Sequence, residues 1–318
     1  MSEVNKDEIM LEVNDLKVYF GNKRRDPVKA VDGVSFKIKR GQTFGLVGES
    51  GSGKTTIGRA IIRLYEPTAG SVKFMGKEIS GRIDRQTKDW VTTKMQMIFQ
   101  DPMASLNPRR KVLDIVAQGA DIHHLFSDRK ERYDKVCETL ESVGLSREHA
   151  DRYPHQFSGG QRQRIGISRA LIMEPELVIA DEAISALDIS IQAQVVNLLK
   201  DFQDERGTTY LFIAHDLAMV QYISDVIGVL HLGHMVEMGN KEEIFENPIH
   251  PYTKSLLSAI PRPDPIQERK RVPMTYDYAT SGIDYNKGTK HYVSDTHMVL
   301  ATDRELEAWT SQTNKNIY

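Results

Sequence analysis

One cysteine, Cys137, stands among the 318 residues, so no disulfide can close within a single chain and no all-cysteine zinc or iron–sulfur site can form from it. Cys137 falls with Tyr133, Val136, Leu140 and Val143 at helical spacing, which reads as a small buried apolar side chain rather than a reactive thiol. An excess of charge of one sign is also lacking: 42 Lys and Arg against 44 Asp and Glu leave −2, too little field to hold the chain on nucleic acid or anionic lipid. No apolar run approaches the roughly 20 residues that span a bilayer. The opening Met1-Ser2-Glu3-Val4-Asn5-Lys6-Asp7 has no charged-then-apolar export signal, and no heptad run indicates a coiled coil. The expectation is a chain kept in the cytoplasm, which docks on a membrane component if it meets a membrane at all. Its 40% hydrophobic content suffices for a sizeable core, in one large domain or two.

What is present is concentrated in a few short segments. Gly48-Glu49-Ser50-Gly51-Ser52-Gly53-Lys54-Thr55 fits the phosphate-loop pattern G-x-x-x-x-G-K-S/T. The apolar run Thr43 to Val47 precedes it, and Thr56 to Leu64 follows with apolar residues at helical spacing, giving strand, loop and helix in the required order. Glycines let successive N–H groups turn inward toward phosphate oxygens, and the helix N-terminus adds partial positive charge. Lys54 would neutralise the outer phosphates, and the Thr55 hydroxyl would ligate Mg²⁺, with Thr56 beside it. A glycine turn that merely happens to precede Lys-Thr is the bland alternative, and it gives no reason for the flanking elements.

Further along, Val34, Phe36 and Ile38 alternate with Ser35, Lys37 and Lys39, so residues 9 to 40 read as β-structure, with a basic, polar turn from Gly21 to Pro27. Gly70 to Gly76 and Met95 to Phe99 read as strands. From about 104 to 157 the chain is charged, helix-forming and nearly free of glycine, with amphipathic periods over 112–122 and 129–143. This is a helical insertion, whose subdomain is taken as about 104–165. Two more apolar runs follow: Leu177 to Ala180, ending in Asp181-Glu182, and Tyr210 to Ala214, ending in His215. Continuous apolar runs alternating with helices indicate an α/β fold, in which a parallel sheet is covered on both faces and keeps its chemistry at the strands' carboxyl ends. Pro261, Pro263 and Pro265 mark a boundary. The polar tail beyond them suggests a hairpin over 291–301 and a helix over 303–309. It is too short for its own core, so it is expected to pack on the main domain or on a partner. The division is 1–262 as the nucleotide-binding unit and 263–318 as a C-terminal extension.

Phe157-Ser158-Gly159-Gly160-Gln161, followed by Arg162-Gln163-Arg164, resembles the signature of the ATP-binding cassette family. The resemblance covers about residues 10 to 260 and includes Gln100 in Ile98-Phe99-Gln100-Asp101-Pro102, Asp181-Glu182, Ser185-Ala186-Leu187-Asp188 and His215, in the family's order. It implies a phosphate-loop NTPase with an antiparallel β-subdomain, a parallel-sheet core and a helical insertion. Asp181 is placed to hold the Mg²⁺ shell through water, and Glu182 to act as general base or water-orienting group at the γ-phosphate. Gln100 would touch Mg²⁺ and the lytic water, and His215 would contact the γ-phosphate. Ser158, Gly159, Gly160 and Gln161 would close on ATP held by an opposite subunit, and Asp188 would cross the same interface. Phe20 sits where the family places its adenine-stacking aromatic, with Tyr19 the alternative and a core aromatic the rival reading. After Asp181-Glu182 the family usually has Pro and then Thr, Ser or Val; this chain has Ala183-Ile184, an exchange expected to loosen that loop.

Ser105-Leu106-Asn107-Pro108 and Asn247-Pro248, with His250-Pro251-Tyr252-Thr253-Lys254, resemble the oligopeptide/dipeptide group of importers, which also includes nickel transporters. On physical grounds the second segment could be mere helix-entry chemistry. The resemblance implies an ATPase subunit that works as a heterodimer with a second ATPase subunit, with two transmembrane permeases and, indirectly, with an extracellular solute-binding protein. It implies the cytoplasmic membrane face, ATP and Mg²⁺ as ligands, and no contact with nucleic acid. Some relatives carry a tail cysteine cluster for an iron–sulfur centre; this chain lacks it, so no cluster is expected. The rivals are a soluble cassette ATPase acting on ribosomes or DNA, and a nucleotide-gated subunit without hydrolysis. A single phosphate loop and near-neutral charge argue against the first, and intact Glu182 and His215 against the second.

Overall fold

The computed structural model describes residues 7–21, 27–101, 105–184, 189–260 and 273–313. Strands Ile9–Phe20 (β1) and Val28–Lys39 (β2) pair antiparallel, with Val13 opposite Phe36 and Val18 opposite Val31. Ala69–Phe74 (β4) and Lys77–Glu78 (β5) complete a four-stranded sheet in the order β2-β1-β4-β5. This is the expected antiparallel β-subdomain. Most of the basic turn between β1 and β2, residues 22–26, lies outside the described residues.

The larger sheet is built on Thr43–Val47 (β3), Met95–Ile98 (β6), Leu177–Asp181 (β7), Thr209–Ile213 (β8) and Val226–His231 (β9). These lie parallel, β9-β3-β8-β7-β6, and His234–Asn240 (β10), Met298–Ala301 (β12) and Thr289–Tyr292 (β11) extend the β9 side antiparallel. The apolar runs are continuous because both faces are covered. Leu177, Ile179, Leu211 and Ile213 face one core with the β-subdomain and Ile57, while Val178, Ala180, Tyr210 and Phe212 face a second core under the helices.

Between the strands run Lys54–Ile61 (α1), Arg85–Lys94 (α2), Val112–Ile122 (α3), Arg129–Ser142 (α4), Gly159–Leu171 (α5), Ile189–Arg206 (α6) and Leu217–Ile223 (α7). Lys241–Glu246 (α8), Pro251–Ser258 (α9), Tyr278–Ser281 (α10) and Asp303–Thr313 (α11) follow. The helical insertion is α3 to α5. Asp128 caps α4 by accepting from the Lys130 and Glu131 N–H groups, and Val116, Val136, Leu140 and Ile165 bury its core together with Cys137, which is fully buried. No helix among the described residues is long and apolar enough to cross a membrane.

The tail packs on the main domain: its hairpin joins the large sheet, with β12 pairing β10 at Glu237–Val299 and Met238–Met298. The prolines at 261, 263 and 265 lie outside the described residues. A fully buried carboxylate fastens this junction. Glu237 accepts from the Ile249 N–H (2.8 Å), the His250 N–H (3.1 Å) and His297 Nε2 (2.8 Å). Each bond gains in a dry site what an unmatched group would lose there. Glu237→Gln puts an amide NH₂ against one of these donors, and is expected to cost about 2–3 kcal/mol. The check is a lower urea midpoint with unchanged slope; an unmoved midpoint would remove Glu237 from this role.

Candidate nucleotide site

The phosphate loop turns where only glycine fits. Gly48 has φ 150° and a Cβ there would strike the Leu230 carbonyl; Gly53 has φ 108° and a Cβ there would strike the Ala30 carbonyl. α1 starts at Lys54 with no side-chain cap and no acidic residue in its first turn, which leaves its N-terminal N–H groups to an anion. Lys54 is 4% exposed and folds back into the loop, donating to the Gly48 carbonyl (2.7 Å) and the Glu49 carbonyl (2.8 Å). Burial pushes its pKa down, and the carboxylates of Glu182, Asp181 and Glu49 pull the other way.

Three neighbouring strand ends supply the rest. Asp181, the last residue of β7, is fully buried. Its Oδ1 accepts from Thr55 Oγ1 at 2.8 Å, its Oδ2 is buried without a hydrogen-bond partner, and burial pushes its carboxyl up. Glu182 takes a left-handed φ of 46°, with its N–H on the Ile213 carbonyl at 2.9 Å, a strained turn of the kind held at functional sites. Its carboxylate accepts from Gln100 Nε2 at 2.5 Å and lies 3.7 Å from His215 Nδ1. Gln100 follows β6 and His215 follows β8, so the order β8-β7-β6 sets the three side chains next to each other. They open on a cleft of about 450 Å³ whose other wall is Ser50, Gly51, Gly53, Lys54, Thr55 and Thr56. Gly48, Glu49 and Ser52 of the same loop do not line the cleft.

The residues fit Mg²⁺. The donors are oxygens, as that ion prefers, and the orphaned Oδ2 of Asp181 beside the Thr55 hydroxyl is an acceptor in need of a partner. No cluster of three or more His, Cys, Asp or Glu that could hold a metal occurs among the described residues.

The signature segment lies apart from this cleft. Ser158 caps α5, accepting from the Gln161 N–H (3.3 Å) while Gln161 Oε1 accepts from the Ser158 N–H (3.0 Å). Ser158 and Gly159 are exposed, Gly160 half-buried, and none of them lines the cleft. Asp188, with Ser185 to Leu187, lies outside the described residues. Phe20 is 39% exposed at the end of β1 and meets Tyr65 edge-on at 5.3 Å, away from the cleft lining. Tyr19 is tied by its hydroxyl to Asp32 at 2.5 Å.

Residues 185–188 lie outside the described residues, while the start of the loop after Glu182, Ala183-Ile184, has support of its own. Both side chains are buried, the Ala183 carbonyl accepts from Gln163 Nε2 (2.5 Å) and the Ile184 carbonyl from Gln192 Nε2 (3.1 Å), so core packing and two amide bonds hold the turn in place of a proline ring. Sequence reasoning also missed Ala30, which lines the cleft from β2, and Tyr252, whose hydroxyl accepts from the Glu49 N–H at 3.0 Å. The Pro-Tyr pair at the start of α9 was the available signal for the latter.

A parallel sheet ending in a phosphate loop, an Asp-Glu pair and a histidine, with helices inserted before the second of these, defines a phosphate-loop NTPase of the cassette type. The family described as "ABC transporter" matches residues 31–185, and "Oligopeptide/dipeptide transporter, C-terminal region" matches 236–283. The oligopeptide transport ATP-binding protein OppF of Bacillus subtilis is 57% identical over 304 residues, covering 95% of this chain and 99% of that protein. The dipeptide transport ATP-binding protein DppF of Lactococcus lactis is 52% identical, with 94% and 96% covered. Among solved structures, a dimeric post-hydrolysis state of the ATP-binding cassette MJ0796 bound to ADP and Pi superposes with a TM-score of 0.68 at 27% identity, over 73% of this chain and 99% of that one. The chain belongs to the ABC transporter family, in its branch of oligopeptide and dipeptide transport ATP-binding proteins. It is an ATPase that binds ATP and hydrolyses it to ADP and phosphate.

Proposed function

We propose that this chain is the ATP-hydrolysing subunit of a membrane importer of oligopeptides, working as a head-to-tail ATP sandwich with a second, different ATPase subunit. The observation that carries the hydrolytic half is the meeting of Glu182, Gln100 and His215 at the mouth of the phosphate-loop cleft. The loop N–H groups from Ser50 to Thr55 and the α1 N-terminus bind the phosphates, and Lys54 leaves the Gly48 and Glu49 carbonyls for the outer phosphate oxygens. Thr55, Asp181 and Gln100 would hold Mg²⁺, which when bound neutralises phosphate charge that develops in transfer. Glu182 accepts a proton from, or orients, the attacking water; Gln100 fixes the Glu182 carboxylate, and His215 donates to the γ-phosphate.

Exposed Ser158 and Gly159 and half-buried Gly160, with Gln161 closing the cap, offer an anion-binding helix start that has no phosphate loop of its own beside it, which supports a role on the partner's ATP; Asp188 is assigned to the same interface. Phe20, the more exposed ring of the Tyr19-Phe20 pair, is assigned to adenine. We divide the chain into an ATPase unit (1–262, with its helical subdomain at about 104–165) and a C-terminal extension (263–318). The assembly we assign is peripheral on the cytoplasmic face, with two permeases and an extracellular solute-binding protein reached through them. Dipeptide import is the second reading, favoured by similarity to the Lactococcus protein.

The test is capture of tagged Glu182→Gln with ATP from its own membranes. Two permeases and a second cassette protein are the expected companions, and a partner-free or ribosome-bound protein would leave only the ATPase.

A further inference from the structure

The phosphate loop is held from behind by the C-terminal part of the chain. The peptide unit joining Gly48 and Glu49 is gripped at both ends: its carbonyl accepts from Lys54 Nζ at 2.7 Å and its N–H donates to the Tyr252 hydroxyl at 3.0 Å. That N–H is thereby turned away from the phosphates, and the plane of the peptide is fixed before any ligand arrives. The Tyr252 ring, 1% exposed, lies tilted by 31° against His231 with centroids 4.0 Å apart. His231 ends β9, directly after the Leu230 carbonyl that leaves no room for a Cβ on Gly48. The turn after it donates the Gly233 N–H to the Ser52 carbonyl at 2.9 Å.

His231 is in turn held by the tail. Its Nδ1 shares a 2.6 Å hydrogen bond with the Tyr285 hydroxyl, which lies 3.2 Å from the Tyr276 hydroxyl, and the rings of Tyr276 and Tyr278 meet His231 edge-on. Burial lowers the His231 pKa to about 4, so the ring is neutral at ordinary pH and this chain of contacts carries no charge that would repel the tail.

We propose that Tyr252 is a positioning residue of the phosphate loop, and that the C-terminal segment sets the loop's ATP affinity through Tyr285 and His231. The loop must give up its Lys54 bonds when phosphate enters. A peptide plane anchored by Tyr252 keeps the loop in its binding shape at that moment, so the cost of reorganisation does not fall on the ligand. A merely structural tyrosine would act on stability alone.

The inference rests on Gly48 to Thr55 holding ATP, and full-length chain in its assembled transporter is the material. Tyr252→Phe keeps the ring and removes the hydroxyl. It is expected to raise the ATP KM about three- to tenfold, the effect of one lost hydrogen bond, with a smaller change in kcat and a melting temperature lowered by a few degrees at most. Tyr285→Phe is expected to raise KM in the same direction, and to add nothing in the Tyr252→Phe background, since both act on one path. Wild-type KM in Tyr252→Phe, or a lower melting temperature with KM unchanged, would overturn the proposal; full additivity would overturn the path through the tail. Radiolabelled ATP binding to Lys54→Ala in the same series separates the failures, because retained binding there would sink the phosphate-loop assignment itself.

Discussion

Glu182→Gln is expected to lower ATP turnover by about 100-fold or more while ATP binding survives, since a positioned general base contributes about 10²- to 10⁴-fold. Size and shape are conserved by the exchange, so the strained turn at residue 182, the bond from its N–H to the Ile213 carbonyl and the closeness of Gln100 all remain. What disappears is the negative charge that takes or aligns the proton of the attacking water. Thr55, Asp181 and the loop N–H groups are untouched, which is why affinity should hold. Steady-state phosphate release read beside equilibrium ATP binding gives the answer, and undiminished turnover would strip Glu182 of its role. In the proposed sandwich the same variant should accumulate as an ATP-dependent dimer, visible by light scattering.

Lys54→Ala should act on the earlier step and weaken ATP binding by about 100-fold, the upper range for hydrogen bonds to a charged group. Two losses coincide. The ammonium that would meet the outer phosphates is gone, and the carboxylates of Asp181 and Glu182, which it faces in the free protein, are left to repel the incoming anion. The carbonyls of Gly48 and Glu49 also lose their donor. Lys54→Arg is expected to rescue little, because a planar fork does not fit a pocket shaped for a compact ammonium. Calorimetric titration with ATP decides it: binding within about threefold of wild type would take Lys54, and the phosphate loop with it, out of the nucleotide site.

Much of this architecture was legible in the sequence for a physical reason. The runs at 43–47, 177–181 and 209–213 are mostly apolar and buried throughout because each strand has a core on both faces, and the chain leaves them for the phosphate loop, Glu182 and His215. Short-range patterns of this kind survive in one dimension. The parts that were missed depend on contacts between distant residues. Tyr252 touches Glu49 across 203 positions, Ala30 reaches the cleft from β2, and Glu237 looks like an ordinary strand carboxylate until His297 and two N–H groups close around it. The hydrogen bonds to the Ala183 and Ile184 carbonyls were hidden in the same way, because they come from amides on α5 and α6.

Gln163 has a mechanical consequence. Fully inside the protein, on the helix that begins with the signature, its amide spans the Phe99 carbonyl (3.4 Å) and the Ala183 carbonyl (2.5 Å). The residues immediately beside those anchor points are Gln100 and Glu182. One glutamine thus works as a tie rod, fixing the helix that begins with the signature to the backbone beside both side chains that face this chain's own nucleotide site.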